Sequence, residues 1–140
     1  MFILPTQEAV QEMMDRLPEG PFVMLNLFRL RDVADYSAHP EFAPATPVTG
    51  RELFDRYAVD MDVHLAEVGA ERVFLADGGS CLIGPPEERW DVVQVVRFPS
   101  LQAFMALASN DKTQAGLPHR YAMLQDSRVI PMIEREVGAR

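Results

Sequence analysis

The segment from Phe22 to Leu30, reading FVMLNLFRL, constrains this chain more than any other: nine residues without glycine or proline, apolar at almost every position. Successive side chains of a strand point to opposite faces, so Val23, Leu25 and Leu27 form one row and Met24, Asn26 and Phe28 another. A strand apolar on both sides needs cover on both sides and belongs in the middle of a sheet. The run from Trp90 to Phe98, rich in β-branched residues and closed by Pro99, predicts a second central strand.

Helices are signalled around these strands. Thr6 precedes an amphipathic stretch with Val10, Met13, Met14 and Leu17 at helical spacing, stopped by the segment from Pro18 to Pro21. Thr49 to Glu52 has the form of a capping box, and Leu53, Phe54, Tyr57, Met61, Leu65 and Val68 follow as one stripe ending at Gly69. Ser100 caps a helix carrying Leu101, Phe104, Met105 and Ala108, and a second helical stretch runs from Lys112 to Gln125. Pro118 is tolerated only in a first turn, so that stretch should break near Gly116 and Leu117 and restart at Pro118.

Three weaker segments complete the reading. Arg72 to Ala76 and Ser80 to Ile83 predict a hairpin turning on Asp77, Gly78 and Gly79. Arg128 to Ile133 predicts the last strand, and Pro131 places it at an edge, because proline cannot donate to the ladder. Arg31 to Val48, with Pro40, Pro44 and Pro47, is a long connection, and such loops are often functional.

With 48% hydrophobic residues and no long apolar run, the chain is expected to fold as one soluble domain over 1–140, cytoplasmic, with no membrane partner. Its parts are an N-terminal helix and linker over 1–20, a core over 21–133 and a tail over 134–140. Thirteen basic against 21 acidic residues, a net charge of -8, disfavours nucleic acid. The single cysteine, Cys81, is expected to be a buried, reduced thiol.

Without its first helix the element order is β-α-β-β-α-β, an α+β arrangement of the ferredoxin-like kind, with an antiparallel sheet and both helices on one face. The other face needs a partner, and a second copy of the chain is the economical one, giving a two-fold homodimer.

Several short motifs in this order, namely Val23 to Arg29, Trp90 to Val93, Phe98 to Ser100 with Phe104, His119 with Arg120, and Asp126 to Arg128, resemble the domain-of-unknown-function family numbered 1330. The resemblance runs over roughly Phe22 to Ile133 and implies membership of the dimeric α/β-barrel superfamily, whose paired sheets enclose a barrel with a ligand cavity in or beside it. The superfamily includes cofactor-free quinol monooxygenases, haem-degrading enzymes, lactone isomerases and EthD-like proteins, so it implies no single reaction. The break at Gly116 to Pro118 and the expanded connection from Arg31 to Val48 depart from the family pattern.

Candidate functional residues are few. Asn26 is a primary amide within an apolar strand, either a barrel-facing group that orients a substrate or a structural amide. Gln94 interrupts the other central strand in the same way and would share a face with Asn26 if the strands are neighbours. Arg29 and Arg97, near strand ends, suit a carboxylate clamp or an ion pair. His119 is the natural acid–base candidate, with Arg120 beside it for an anion, and a start of helix at Pro118 would keep the imidazole neutral. His64 reads as a partly buried structural histidine. Metal-ligand spacing, a nucleophile elbow and a Gly-rich phosphate loop are all missing from the sequence, so no metal and no cofactor are expected.

These residues fit a small enzyme, a cofactor-independent monooxygenase or an isomerase, with Asn26 and His119 catalytic and Gln94, Arg29, Arg97 and Arg120 binding a small organic ligand. A non-catalytic binding or assembly module is the alternative. A third reading, implied by the resemblance to haem degraders, would make His119 a haem ligand near Asn26 and Trp90.

Overall fold

The computed structural model describes residues 1–138, so residues 139–140 of the expected tail lie outside the described residues. The elements are α1 (Gln7–Arg16), β1 (Phe22–Leu30), α2 (Gly50–Glu67), β2 (Glu71–Ser80), β3 (Arg89–Phe98), α3 (Leu101–Ala108), α4 (Asp111–Ala115), α5 (Leu117–Met123) and β4 (Leu124–Met132). The strands form one sheet in the order β2-β3-β1-β4 with every neighbouring pair antiparallel, the ferredoxin-like arrangement expected from the element order. Among the described residues no helix is long and apolar enough to cross a membrane.

Capping chemistry sets the helix starts as the sequence indicates. The hydroxyls of Thr6, Thr49 and Ser100 accept from the amides of Ala9, Glu52 and Ala103, each satisfying a donor that a helix end leaves free. Gly69 ends α2 with φ of 76°, a conformation open to glycine at little cost. The restart at Leu117 and Pro118 is present, and α5 passes directly into β4 at Leu124, four residues before the expected start of that strand.

The predicted hairpin is corrected. Gly78 and Gly79 lie within β2, which runs unbroken to Ser80 and pairs with β3. A Cβ at Gly78 would sit 2.3 Å from the Trp90 carbonyl oxygen, so glycine is required here for close approach of two strands, not for a turn. The turn is the following loop, residues 81–88. Cys81 is accordingly half-buried at its start, and its neighbours Leu82 and Ile83, expected in a strand, are 99% and 93% exposed.

One face of the sheet carries the helices and a core in two parts. Phe28, Leu30 and Val92 pack with Leu53, Phe54, Ala122, Met123 and Leu124, while Phe22, Met24, Val96 and Phe98 pack with Met13, Leu17, Leu65 and Leu107. Asn26 and Gln94, opposite each other in the β1–β3 register, fall between the two clusters. The Gln94 amide oxygen accepts from Arg72 Nε at 3.0 Å, and Arg72 reaches on to Asp62 at 3.1 Å and the Ala58 carbonyl at 3.4 Å, tying sheet to α2. Burying these polar groups is tolerable because each finds a partner.

The opposite face has no helix over it. Across its middle, Phe74, Val95, Leu25 and Ile130 are register partners, with Ala76, Val93, Leu27 and Arg128 in the next row. Phe74 and Ile130 are about half exposed.

Candidate active site

The long connection after β1 is pinned at its base. The Arg31 amide donates to the Met123 carbonyl at 2.9 Å and the Gly50 amide to the Arg31 carbonyl at 3.0 Å, while Ala34 and Asp35 donate to the carbonyls of Val48 and Ala122. Three chain segments therefore cross at Gly50, where a Cβ would lie 2.4 Å from the Arg31 oxygen and 2.9 Å from that of Met123. This crossing holds the connection, with its short 3₁₀ turn Pro40–Phe42, against α2 and α5.

The connection brings Tyr36 and Phe42 to His119, which stands in the first turn of α5. The Tyr36 hydroxyl lies 2.7 Å from His119 Nδ1. Tyr57, from α2, stacks on the imidazole with ring centroids 4.5 Å apart, and the Phe42 ring meets it edge-on at 5.6 Å. Burial lowers the pKa of His119 below its ordinary value and raises those of Tyr36 and Tyr57 above theirs. All three shifts favour the neutral forms, and the Tyr36 hydroxyl and His119 Nδ1 are hydrogen-bonded to each other. Both the pair and its aromatic wall belong to the helix-covered side of the sheet, through Tyr36 and the partly buried Tyr57 and Tyr121 that pack on the first core cluster.

The other candidates are placed as follows. Asn26 shares a face with Met24 and Phe28 and looks toward the helices, away from the open face; its Nδ2 donates to the Met24 carbonyl at 3.1 Å. Gln94 is its neighbour, as the sequence suggested, and is held by Arg72. Arg97 makes ion pairs with Glu71 at 3.6 Å and Glu134 at 2.9 Å. Arg120 is half-buried, donates to the Ile3 carbonyl at 3.1 Å and covers the Phe28 ring, so it anchors the N-terminal segment. His64 is half-buried with Nδ1 lacking a partner among the described residues. Trp90 packs beside Arg29 and Arg128, whereas the ring neighbours of His119 are Tyr36, Phe42 and Tyr57, so Asn26, Trp90 and His119 do not surround one space. A groove of about 420 Å³ lined by Pro21, Arg97 and Ile133 to Glu136 lies at the Phe22 end of β1, away from this chemistry.

Tyr36 and Phe42 were not singled out from the sequence. Their only signal was aromatic residues inside a proline-rich connection long enough to be functional. Tyr57 was visible as part of the α2 stripe, where an apolar reading hid its hydroxyl.

A four-stranded antiparallel sheet with this strand order and helices on one face defines the molecule as a ferredoxin-like α+β protein. It is similar to a methylated RPA0582 protein, with 31% identity, 99% of this chain and 98% of that chain covered, and a TM-score of 0.84. A second structure of RPA0582, described as a protein of unknown function from Rhodopseudomonas palustris, gives 31% identity, coverage of 96% and 97%, and a TM-score of 0.82. The chain belongs to the RPA0582 family. A dabb family protein with a ferredoxin-like fold from Mesorhizobium loti superposes more loosely, at 12% identity over 84% of this chain and 99% of that chain with a TM-score of 0.48. No protein-family model matches the chain, and no curated protein does.

Proposed function

We propose that this protein is a small acid–base enzyme that binds a modest organic molecule against the aromatic wall of Tyr57 and Phe42 and transfers a proton at His119. The observation that carries this reading is the 2.7 Å contact between the Tyr36 hydroxyl and His119 Nδ1 inside a partly buried aromatic setting. An imidazole held neutral and oriented by a second group is what general acid–base catalysis requires. His119 Nε2 then meets the substrate oxygen or carbon acid and Tyr36 holds the tautomer. Isomerisation by proton transfer and cofactor-independent oxygenation both use such a group.

The same proposal takes in assembly and family. The motifs from Val23 to Arg128 support membership of the domain-of-unknown-function family 1330 in the dimeric α/β-barrel superfamily, in which the open face rich in Leu25, Leu27, Val93 and Val95 meets the same face of a second copy. Static light scattering at micromolar concentration should give twice the chain mass, and a monomer would remove the dimer from the proposal.

For the chemistry, a panel of enolisable ketones, lactones and quinols is assayed with the wild-type protein, His119→Ala and Tyr36→Phe. His119→Ala should lower kcat at least about 100-fold, the lower end of what a general acid or base supplies. Tyr36→Phe should lower it less and alter the pH profile. If every turnover found survives both substitutions, His119 is not the proton-transfer group.

A further inference from the structure

On the open face, at the end of the sheet where β1 finishes, two arginines lie against the one tryptophan. The Arg29 guanidinium carbon lies 5.4 Å from the centroid of the Trp90 ring and that of Arg128 lies 5.2 Å from it, and Arg128 is also 4.9 Å from the Phe2 ring. Trp90 is 9% exposed, with its Nε1 donating to Glu88. Guanidinium groups laid on aromatic rings are held flat, with their in-plane donors directed away from the stack.

Besides Glu88 on the indole, two carboxylates stand nearby, and both are engaged. Asp126 accepts from the amides of Phe2 and Ser127 and from Arg128 NH1 at 2.7 Å; although burial would raise its pKa, these donors hold it below its ordinary value. Asp91 accepts from the Leu30 amide at 2.8 Å and from Arg89 Nε at 3.3 Å. Arg29 faces Asp126 across the β1–β4 register, the position for a cross-strand ion pair, yet Asp126 turns to Arg128. The Arg29 side chain donates only Nε, to the Arg89 carbonyl at 3.1 Å, and among the described residues it forms no ion pair. At this spot the fork of one guanidinium, that of Arg29, is left unmatched among the described residues.

We propose that Arg29, steadied by Trp90 and flanked by Arg128, is a binding site for the carboxylate of a small organic acid. The unmatched terminal nitrogens of Arg29 present two parallel donors to the two carboxylate oxygens, a geometry that fits a planar carboxylate better than a point cation would. The partly screened, low-dielectric setting beside the indole strengthens such a pair relative to one in open solvent. This site lies on the opposite side of the sheet from the His119 wall and does not depend on it.

Trp90 is the single tryptophan of the chain and sits in the site, so its fluorescence reports occupancy directly. Succinate is titrated into the intact protein and succinamide, its neutral counterpart, serves as control. Succinate should shift Trp90 emission in a saturable way and succinamide should not. Arg29→Gln and Arg29→Lys should each weaken the succinate response at least about tenfold, the lysine variant because it keeps the charge and loses the fork. His119→Ala should leave the response intact, which separates this site from the proposed catalytic one. The proposal is overturned if succinate up to roughly 50 mM, far above a weak millimolar contact, leaves the emission unchanged. It is equally overturned if succinamide acts alike, if Arg29→Lys binds as tightly as wild type, or if the emission follows protein concentration and not succinate, which would mark a seam between copies.

Discussion

The two faces of the sheet are made by alternate residues of the same strands and have opposite characters. On the helix-covered face polar groups have found partners: Gln94 with Arg72, Arg120 with Ile3, and His119 with Tyr36. On the open face the middle rows are mostly apolar, with Phe74 and Ile130 about half exposed, and among the described residues Arg29 carries a fork with no carboxylate. Burial by the chain's own helices thus goes with mostly paired polar groups, whereas the face without helices leaves apolar side chains and one guanidinium uncovered.

Adjacent valines of β3 test that contrast most severely. Val92 is 1% exposed in the core and Val93 points to the open face. Val92→Asp should cost about 4 kcal/mol or more and leave little folded protein, because it places an unpaired carboxylate in the core. Val93→Asp should leave the protomer folded while abolishing self-association, read by urea denaturation and light scattering together. Equal damage from both would mean that the open face is not an outer surface of the protomer.

Gly50→Ala comes next, with an expected loss of about 3 kcal/mol, because neither backbone oxygen near the new Cβ can move without opening the crossing. Its Tyr36–His119 pair should loosen as well, visible as a rise in the imidazole pKa by NMR titration. Arg72→Ala should cost about 2 kcal/mol in thermal or chemical unfolding, since it strands the Gln94 oxygen and unties the sheet from α2.

The smallest effect is a pH dependence. His119 has a folded pKa below its unfolded value of about 6.5. Its stability contribution is therefore present above that pH and is lost as pH falls through the folded value, where the unfolded chain takes up the proton more readily. Wild-type stability should decline relative to His119→Gln between neutral pH and pH about 5, and parallel curves would mean that the imidazole is not desolvated.

How much of this could be read beforehand follows from the range of the interactions. The central strands and capped helices were legible because apolar runs, Thr6, Thr49 and Ser100 act within a few residues of themselves. Gly78 was misread as a turn because its role depends on the Trp90 backbone across the sheet, which no local pattern records. His119 was legible as a chemical type, and its wall was not, since Tyr36 is 83 residues away. The side that Asn26 faces was not legible, because two apolar rows on one strand do not say which one the helices will cover.

The backbone crossing at Gly50 joins residues 31, 50 and 123, so it closes only after residue 123 has been made. Loop closures of that span are late events in folding, since their entropy must be met before the contacts form. Until β4 docks, His119 is an ordinary hydrated histidine and Tyr36 an ordinary phenol. The lowered imidazole pKa therefore reports that this crossing has closed.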